Sequence, residues 1–293
     1  MKKTAKRTKN PATVAALYMV CAAAAFAVMG AFAKALHRLP AWEITFFRAL
    51  INVIALLPWA ISQPRIVATW RSEPLALSVR GVAGGLSALL YFYALGHMKL
   101  ADASMIYQSS PIIVIILSAL LLGETLSAAS FLCTLVALIG IGLVIKPDLH
   151  FTTQGDLAPL AALGGTIAAA VAYTAIKHAT RKIPTRLIVL TFASVATLFA
   201  VIPTILSFTP PTPVEWLLLL GTGSFATLGQ ETMTKSYAGL PASVASPIML
   251  TSVAFSTLLG WAYWGEIPDR LSALGMLLIA SGVVAAYRFK RAL

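Results

Sequence analysis

Apolar runs about as long as a bilayer is thick follow one another along almost the whole chain, and nothing else constrains its fold so strongly. Broken at charges and at Pro/Gly clusters, the sequence yields ten of them, near residues 12–36, 41–62, 75–97, 101–121, 126–146, 156–178, 185–207, 214–237, 241–262 and 269–288. A helix needs about 20 residues to cross a hydrocarbon core. Inside that core no water reaches the backbone, so each segment must satisfy its own N–H and C=O groups, as a helix does. The sequence therefore predicts an all-α integral membrane protein of ten transmembrane helices. Composition agrees, with only 11% charged residues where soluble domains carry roughly 25%. The connections are short, and prolines such as Pro40, Pro64, Pro184 and Pro241 mark their edges.

The net charge of +12 would suit a nucleic-acid binder, but its distribution does not. Basic residues gather at the N-terminus (Lys2, Lys3, Lys6, Arg7, Lys9), at the C-terminus (Arg288, Lys290, Arg291) and in short loops. An even number of crossings puts both ends on one side. That side would hold most of the Lys and Arg, including Arg65, Arg71, Arg80, Arg181, Lys182 and Arg186. The other side would hold Arg38, Lys99, Lys146 and Arg270, with most of the acids: Asp102, Asp148, Asp156, Glu215, Glu266 and Asp269. Because cytoplasmic loops collect positive charge, both termini are expected in the cytoplasm of a bacterial inner (plasma) membrane. The first run is full length and lacks a convincing cleavage site, so it is expected to be a span rather than a leader. Cys21 and Cys133 lie inside apolar runs and read as small core residues.

The chain also repeats itself. Gly123-Glu124 closes the fourth run and Gly265-Glu266 the ninth, 142 residues apart. Gly140 and Gly282 share that offset, whereas Gly81 faces Gly221 and Leu100 faces Leu240 at 140, so a two-residue gap falls in the fourth and ninth spans. Lys34 faces Lys177 at 143, and Pro40 faces Pro184 at 144. Five helices are an odd number, so the second copy enters the membrane upside down. The expected organisation is a basic tail (1–11), a first five-helix repeat (12–146), a periplasmic linker (147–155), an inverted second repeat (156–288) and a basic tail (289–293). Inverted repeats of this kind build many secondary transporters, because two such copies can exchange conformations around a midplane site. Ser110-Pro111 and Ser246-Pro247 are candidate hinges, but they do not coincide when the Gly-Glu pairs are superposed.

The stretch LADASMIYQSSPIIVIILSALLLGETLS (100–127), with FFRAL (46–50) before it and GEIPDRLSALGMLLIASGVV (265–284) after it, resembles the EamA-type branch of the drug/metabolite transporter superfamily. The resemblance covers nearly the whole chain. It implies a ten-helix carrier, both ends cytoplasmic, mostly exporting amino acids or related metabolites. The second repeat has no counterpart of FFRAL, since Thr191-Phe192-Ala193 stands in that region. Any role of Arg48 therefore belongs to one half only.

Charge inside a bilayer is costly and calls for a reason. Arg48 lies about eight residues into the second span, roughly 12 Å deep, and its forked donors suit a substrate carboxylate. It equally suits helix carbonyls or a tyrosine that would lock two helices. Glu231 is a proton-coupling candidate, with a membrane-edge position beside Lys235 as the plainer reading. Glu43 and Lys34 read as residues that snorkel to the headgroups. Tyr107 and Gln108, with Tyr91, Tyr173 and Thr251 from other spans, are candidate substrate-binding residues. Interhelical hydrogen bonding is the alternative use for such groups in lipid.

No HExxH, nucleophile elbow or phosphate-cradling loop occurs, so neither an enzyme nor a self-contained ATP-driven pump is expected. No cofactor and no metal are expected. The expected partners are a small-molecule substrate and membrane lipid, not nucleic acid, with the monomer as the working unit. The expected function is secondary active export of a small metabolite such as an amino acid, by alternating access. The alternative is a uniporter or exchanger of a larger nucleoside-type or cationic metabolite.

Overall fold

A computed structural model describes residues 10–97, 100–125, 128–146 and 157–291. The basic N-terminal residues 1–9 and the 147–155 linker lie outside the described residues, as does the end of the C-terminal tail. All regular structure among the described residues is helical, in the order α1 (Pro11–Ala35), α2 (Ala41–Ile61), α3 (Ile66–Ser72), α4 (Pro74–His97), α5 (Leu100–Gln108), α6 (Ser110–Leu122), α7 (Ala128–Ile145), α8 (Ala158–Ala179), α9 (Thr185–Leu206), α10 (Pro213–Gly239), α11 (Ala242–Ile248), α12 (Thr251–Trp264) and α13 (Arg270–Arg291). Nine stretches among the described residues are long and apolar enough to cross a membrane. The more polar α10, 27 residues long, is the remaining member of the ten-span scheme. Its start is built from a proline in the first turn and a capping box, in which Thr212 and Glu215 satisfy each other's backbone N–H.

Two features depart from the sequence expectation. A short helix, α3, precedes the third span. The fourth and ninth spans are each broken in two, between α5 and α6 at Ser109 and between α11 and α12 at Met249-Leu250. At both breaks the backbone tightens to i→i−3 bonds: Ser109 and Ile112 donate to Ile106 and Ser109, and Met249, Leu250, Ser252 and Val253 donate in the same manner. The two-residue gap in the repeat alignment is Met249-Leu250 itself. With it removed, α11 overlays α5 at an offset of 140 and α12 overlays α6 at 142. The breaks are therefore equivalent although the prolines are not. Pro247 cannot donate to the Ser243 carbonyl one turn back, and the Ser130 hydroxyl of α7 donates there instead, at 3.1 Å.

Packing follows the duplication. Helix α1 packs along α10 as α8 packs along α4, and α2 with α9, like α7 with α13, pairs a helix with its own copy. The α7–α13 pair is close enough for backbone contact. A Cβ at Gly140 would come within 2.5 Å of the Gly275 carbonyl, and one at Gly282 within 2.6 Å of the Cys133 carbonyl. Gly282 and Gly275 are the copies of Gly140 and Cys133, so one contact is the image of the other. Small residues let membrane helices approach in this way where lipid offers no hydrophobic drive. Cys133 thus sits at a helix contact, whereas Cys21 is exposed, on the outside of the bundle rather than in its core.

Ion pairs are duplicated too. Arg38, two residues before Pro40, holds Glu215, and Lys182, two residues before Pro184, holds Glu73. Each clamp ties the turn after one repeat's first helix to the start of the other repeat's third. The Gly-Glu corners begin alike: Gly123 and Gly265 both end their helices in the left-handed region, at φ 68° and 67°, where glycine carries no Cβ penalty. Beyond that glycine they diverge. Glu124 accepts from the backbone N–H groups of Ala242 and Ser243 and from the Ser243 hydroxyl, at 2.7, 3.1 and 2.8 Å. Glu266 instead pairs with Lys34. On the Glu124 side α11 packs on α6, α7 and α8, and α10 on α8. The mirror-image packings, of α5 on α12, α13 and α1 and of α4 on α1, are not formed to that extent among the described residues. The molecule is closed on the Glu124 side and looser on the Glu266 side.

Candidate functional site

The breaks of the fourth and ninth spans face a narrow cavity of about 30 Å³, room for about one water. Its lining comes from both repeats: Tyr107, Gln108, Ser110 and Pro111 around the first break, Ser246, Met249 and Leu250 around the second, and Tyr173, Met233 and Tyr237 from α8 and α10. The tightened turns leave Tyr107, Gln108, Ser110, Pro111, Ser246, Met249 and Leu250 at or beside the ends of half-helices. Three of the sequence-chosen residues, Tyr107, Gln108 and Tyr173, thus meet in one place. Tyr91 joins them through its ring, whose centroid is 4.6 Å from that of Tyr107. Tyr107 and Tyr91 pair their hydroxyls with Ser87 and Ser104, each at 3.2 Å. The Tyr173 ring lies nearly parallel to that of Tyr237, 6.2 Å away. Thr251 follows Leu250 at the start of α12 and donates to the Ile248 carbonyl at 2.7 Å, so its hydroxyl is engaged at the break.

Arg48 is partly buried on α2, about 10 Å along the helix from its start. Its guanidinium touches Met29 Sδ at 3.5 Å and has Tyr107 and Tyr173 as its electrostatic neighbours. Among the described residues no carboxylate pairs with it. Glu231 does not line the cavity. It sits 3.3 Å from Arg186 and 3.6 Å from Lys235, a carboxylate between two cations at the closed side. Glu43 is not a snorkelling residue: it is fully buried and accepts from the Thr209 N–H at 3.0 Å. Lys34 does reach the periphery, over the Trp264 ring and against Glu266.

Arg80 escaped the sequence reading, which counted it among loop cations. It lies in the second turn of α4 and is 2% exposed. Its Nη2 donates to Gln230 Oε1 at 3.0 Å, and its guanidinium covers the Phe192 ring at 3.9 Å. The signal was its place inside the third apolar run, six residues after Pro74. Tyr237, Met233 and Ser246 were also missed, because nothing in their local sequence distinguishes a cavity wall from a helix interface. Among the described residues no cluster of His, Cys, Asp and Glu suits a metal ion. The cavity offers tyrosine and serine hydroxyls and one carboxamide, with the Arg48 guanidinium within electrostatic reach of Tyr107 and Tyr173, a setting for binding and orienting a small polar-apolar molecule.

Comparison with known proteins finds relatives over nearly the whole chain. The chain is 37% identical to the pseudopaline exporter CntI of Pseudomonas aeruginosa, covering 94% of this chain and 96% of that one. It is 26% identical to human solute carrier family 35 member G1 (92% and 78% covered) and 22% identical to the S-adenosylmethionine uptake transporter of Rickettsia bellii (87% of each). A solved crystal structure shares the fold with a TM-score of 0.81 at 20% identity, over 95% of this chain and 98% of the other. The three named relatives are transporters, not enzymes. The model of the EamA-like transporter family matches twice, over residues 13–146 and 156–288, and the chain belongs to that family.

Proposed function

We propose that this membrane transporter is a secondary carrier that exports a small amphipathic metabolite bearing a carboxylate, such as an amino acid. The observation that carries this reading is Arg48: a guanidinium within electrostatic reach of the cavity's Tyr107 and Tyr173, with a thioether as its polar contact and, among the described residues, no acid to neutralise it. A charge left in a bilayer without a partner is expensive, and a substrate carboxylate would supply the partner. Tyr107 and Gln108 would hold the rest of the molecule, with Tyr91, Tyr173 and Thr251 shaping the wall. The relative at 37% identity is named as an exporter, which supports the direction. Positive charge on the Glu124 side supports placing that side, and both termini, in the cytoplasm. A cavity this narrow would admit a metabolite when the two halves part, in keeping with alternating access by a monomer.

The reading is tested by uptake into proteoliposomes of labelled neutral amino acids, aromatic amino acids and a nucleoside-type cation, with and without a pH gradient. Carboxylate-bearing compounds should be carried, and Arg48→Ala should reduce their transport at least tenfold. Transport of the cation alone, unaffected by Arg48→Ala, would replace this reading with the cation carrier. A proton-coupling role for Glu231 predicts that Glu231→Gln abolishes stimulation by the pH gradient while leaving exchange intact.

A further inference from the structure

Arg80 is more deeply buried than Arg48 and only partly matched. A guanidinium has five N–H donors, and among the described residues one is paired, to a neutral carboxamide. Its Nε is sealed from solvent with no acceptor among the described residues. Such a group costs free energy unless an anion or further acceptors meet it. The surroundings nevertheless make room for it. A Cβ on Gly84 would come within 2.4 Å of Arg80 Nη1 and within 2.8 Å of the Phe192 ring, so any larger residue at 84 would displace the head group.

The place it occupies is telling. With Pro40 aligned on Pro184, the copy of Arg48 in the second repeat is Phe192. The second repeat supplies no arginine there, and Arg80 of the first repeat lays its guanidinium on that very ring. One guanidinium therefore stands at each of two sites related by the internal pseudo-symmetry. Arg48 lies about 10 Å in from the Glu266 end and Arg80 about 9 Å in from the Glu124 end. Ser87, whose hydroxyl pairs with that of the cavity's Tyr107, stands two turns along α4 from Arg80, and Tyr107 and Tyr173 lie within electrostatic reach of both guanidinium groups.

We propose that Arg80 is a second anion-binding residue of the transport site, so that the preferred substrate carries two separated carboxylates, one for each guanidinium. The inference rests on the carboxylate reading of Arg48 and adds to it. Opening of the Glu124 side would part the α4, α9 and α10 surfaces that now cover Arg80 and let the second carboxylate reach it.

The test is equilibrium binding to the purified full-length chain of linear dicarboxylates from succinate to pimelate, each against the monocarboxylate of equal length. At least one dicarboxylate should bind tenfold or more tightly than its monocarboxylate partner. Arg80→Gln should erase that preference, lowering dicarboxylate binding at least tenfold and monocarboxylate binding by a smaller factor, whereas Arg48→Gln should weaken both classes. Arg80→Lys, which keeps the charge and loses the fork, should lower the preference at least threefold, and it decides the matter if Arg80→Gln does not fold. Monocarboxylate binding that depends on Arg48, without any dicarboxylate preference, would overturn the role of Arg80 alone. Binding of neither class would overturn both readings.

Discussion

Glu124 and Glu266 follow the same left-handed glycine in the two repeats. Glu124 reaches the N-terminus of α11 and receives three hydrogen bonds, whereas Glu266 holds Lys34 with the two side chains 57% and 49% exposed. The backbone corner is the same, so the difference is tertiary. The first corner meets a half-helix that has come in against it, and the second faces a half-helix whose matching contacts with α12, α13 and α1 are not made to the same extent among the described residues. Elsewhere the repeats agree closely: the Arg38–Glu215 and Lys182–Glu73 clamps are images of each other, and so are the two glycine contacts of α7 with α13. Duplication fixes two sets of equivalent groups. The conformation decides which set is engaged.

The largest effects should fall on the symmetric part. Gly140→Val and Gly282→Val each force a side chain into a carbonyl across the helix pair, and overpacking of this kind costs about 1–3 kcal/mol or more. Both should lower the melting temperature in detergent by similar amounts. Unequal losses would show that the two contacts are not equivalent.

Next come the corners, where the effects should differ. Glu124→Ala strips the carboxylate from two backbone N–H groups and one hydroxyl, a loss of about 2–3 kcal/mol. It should also raise labelling of a Ser246→Cys probe from the Glu124 side, in a chain without Cys21 and Cys133. Glu266→Ala removes one exposed pair, worth about 1 kcal/mol at most, and should leave that probe unchanged. Equal responses would break the comparison.

The smallest effect is that of pH. Glu73 is held below the usual carboxylate range by its hydrogen bond to Lys182, helped by that cation's charge and by His178, and Asp269 is held low chiefly by its hydrogen bond to Lys146. Folded values below the unfolded ones mean that both pairs stabilise fully above the ordinary carboxylate range. That contribution fades as pH falls through and below it. Acid melts should therefore show a modest loss below about pH 4.5, weaker in Lys182→Gln. No change in that variant would show that the clamp contributes nothing.

The spans were legible in the sequence because an apolar stretch of this length has one stable answer in lipid. The Gly-Glu corners were legible because only glycine takes the left-handed cap without penalty. The broken spans were not. Ser109 and Met249-Leu250 keep right-handed helical dihedrals, and no composition signal marks a turn that merely tightens. The two unmatched prolines even pointed away from a symmetric break. Tyr107, Gln108 and Tyr173 could be chosen from polarity alone, since such groups are rare in lipid. Glu231 drew attention for the same reason and went elsewhere, because Arg186 sits 45 residues away in the sequence and its approach is a matter of helix packing.

The sequence by itself determined a helical membrane protein, its duplication and the two corners, since each depends on solvent and on local backbone chemistry. Only the tertiary structure decided that Arg80 is a buried group rather than a loop cation, that it rests on the ring standing where a second Arg48 would be, and that the Glu124 side is the closed one. Those facts depend on which face of each helix meets which neighbour. That is set by close packing among helices far apart in the chain, and no local pattern records it.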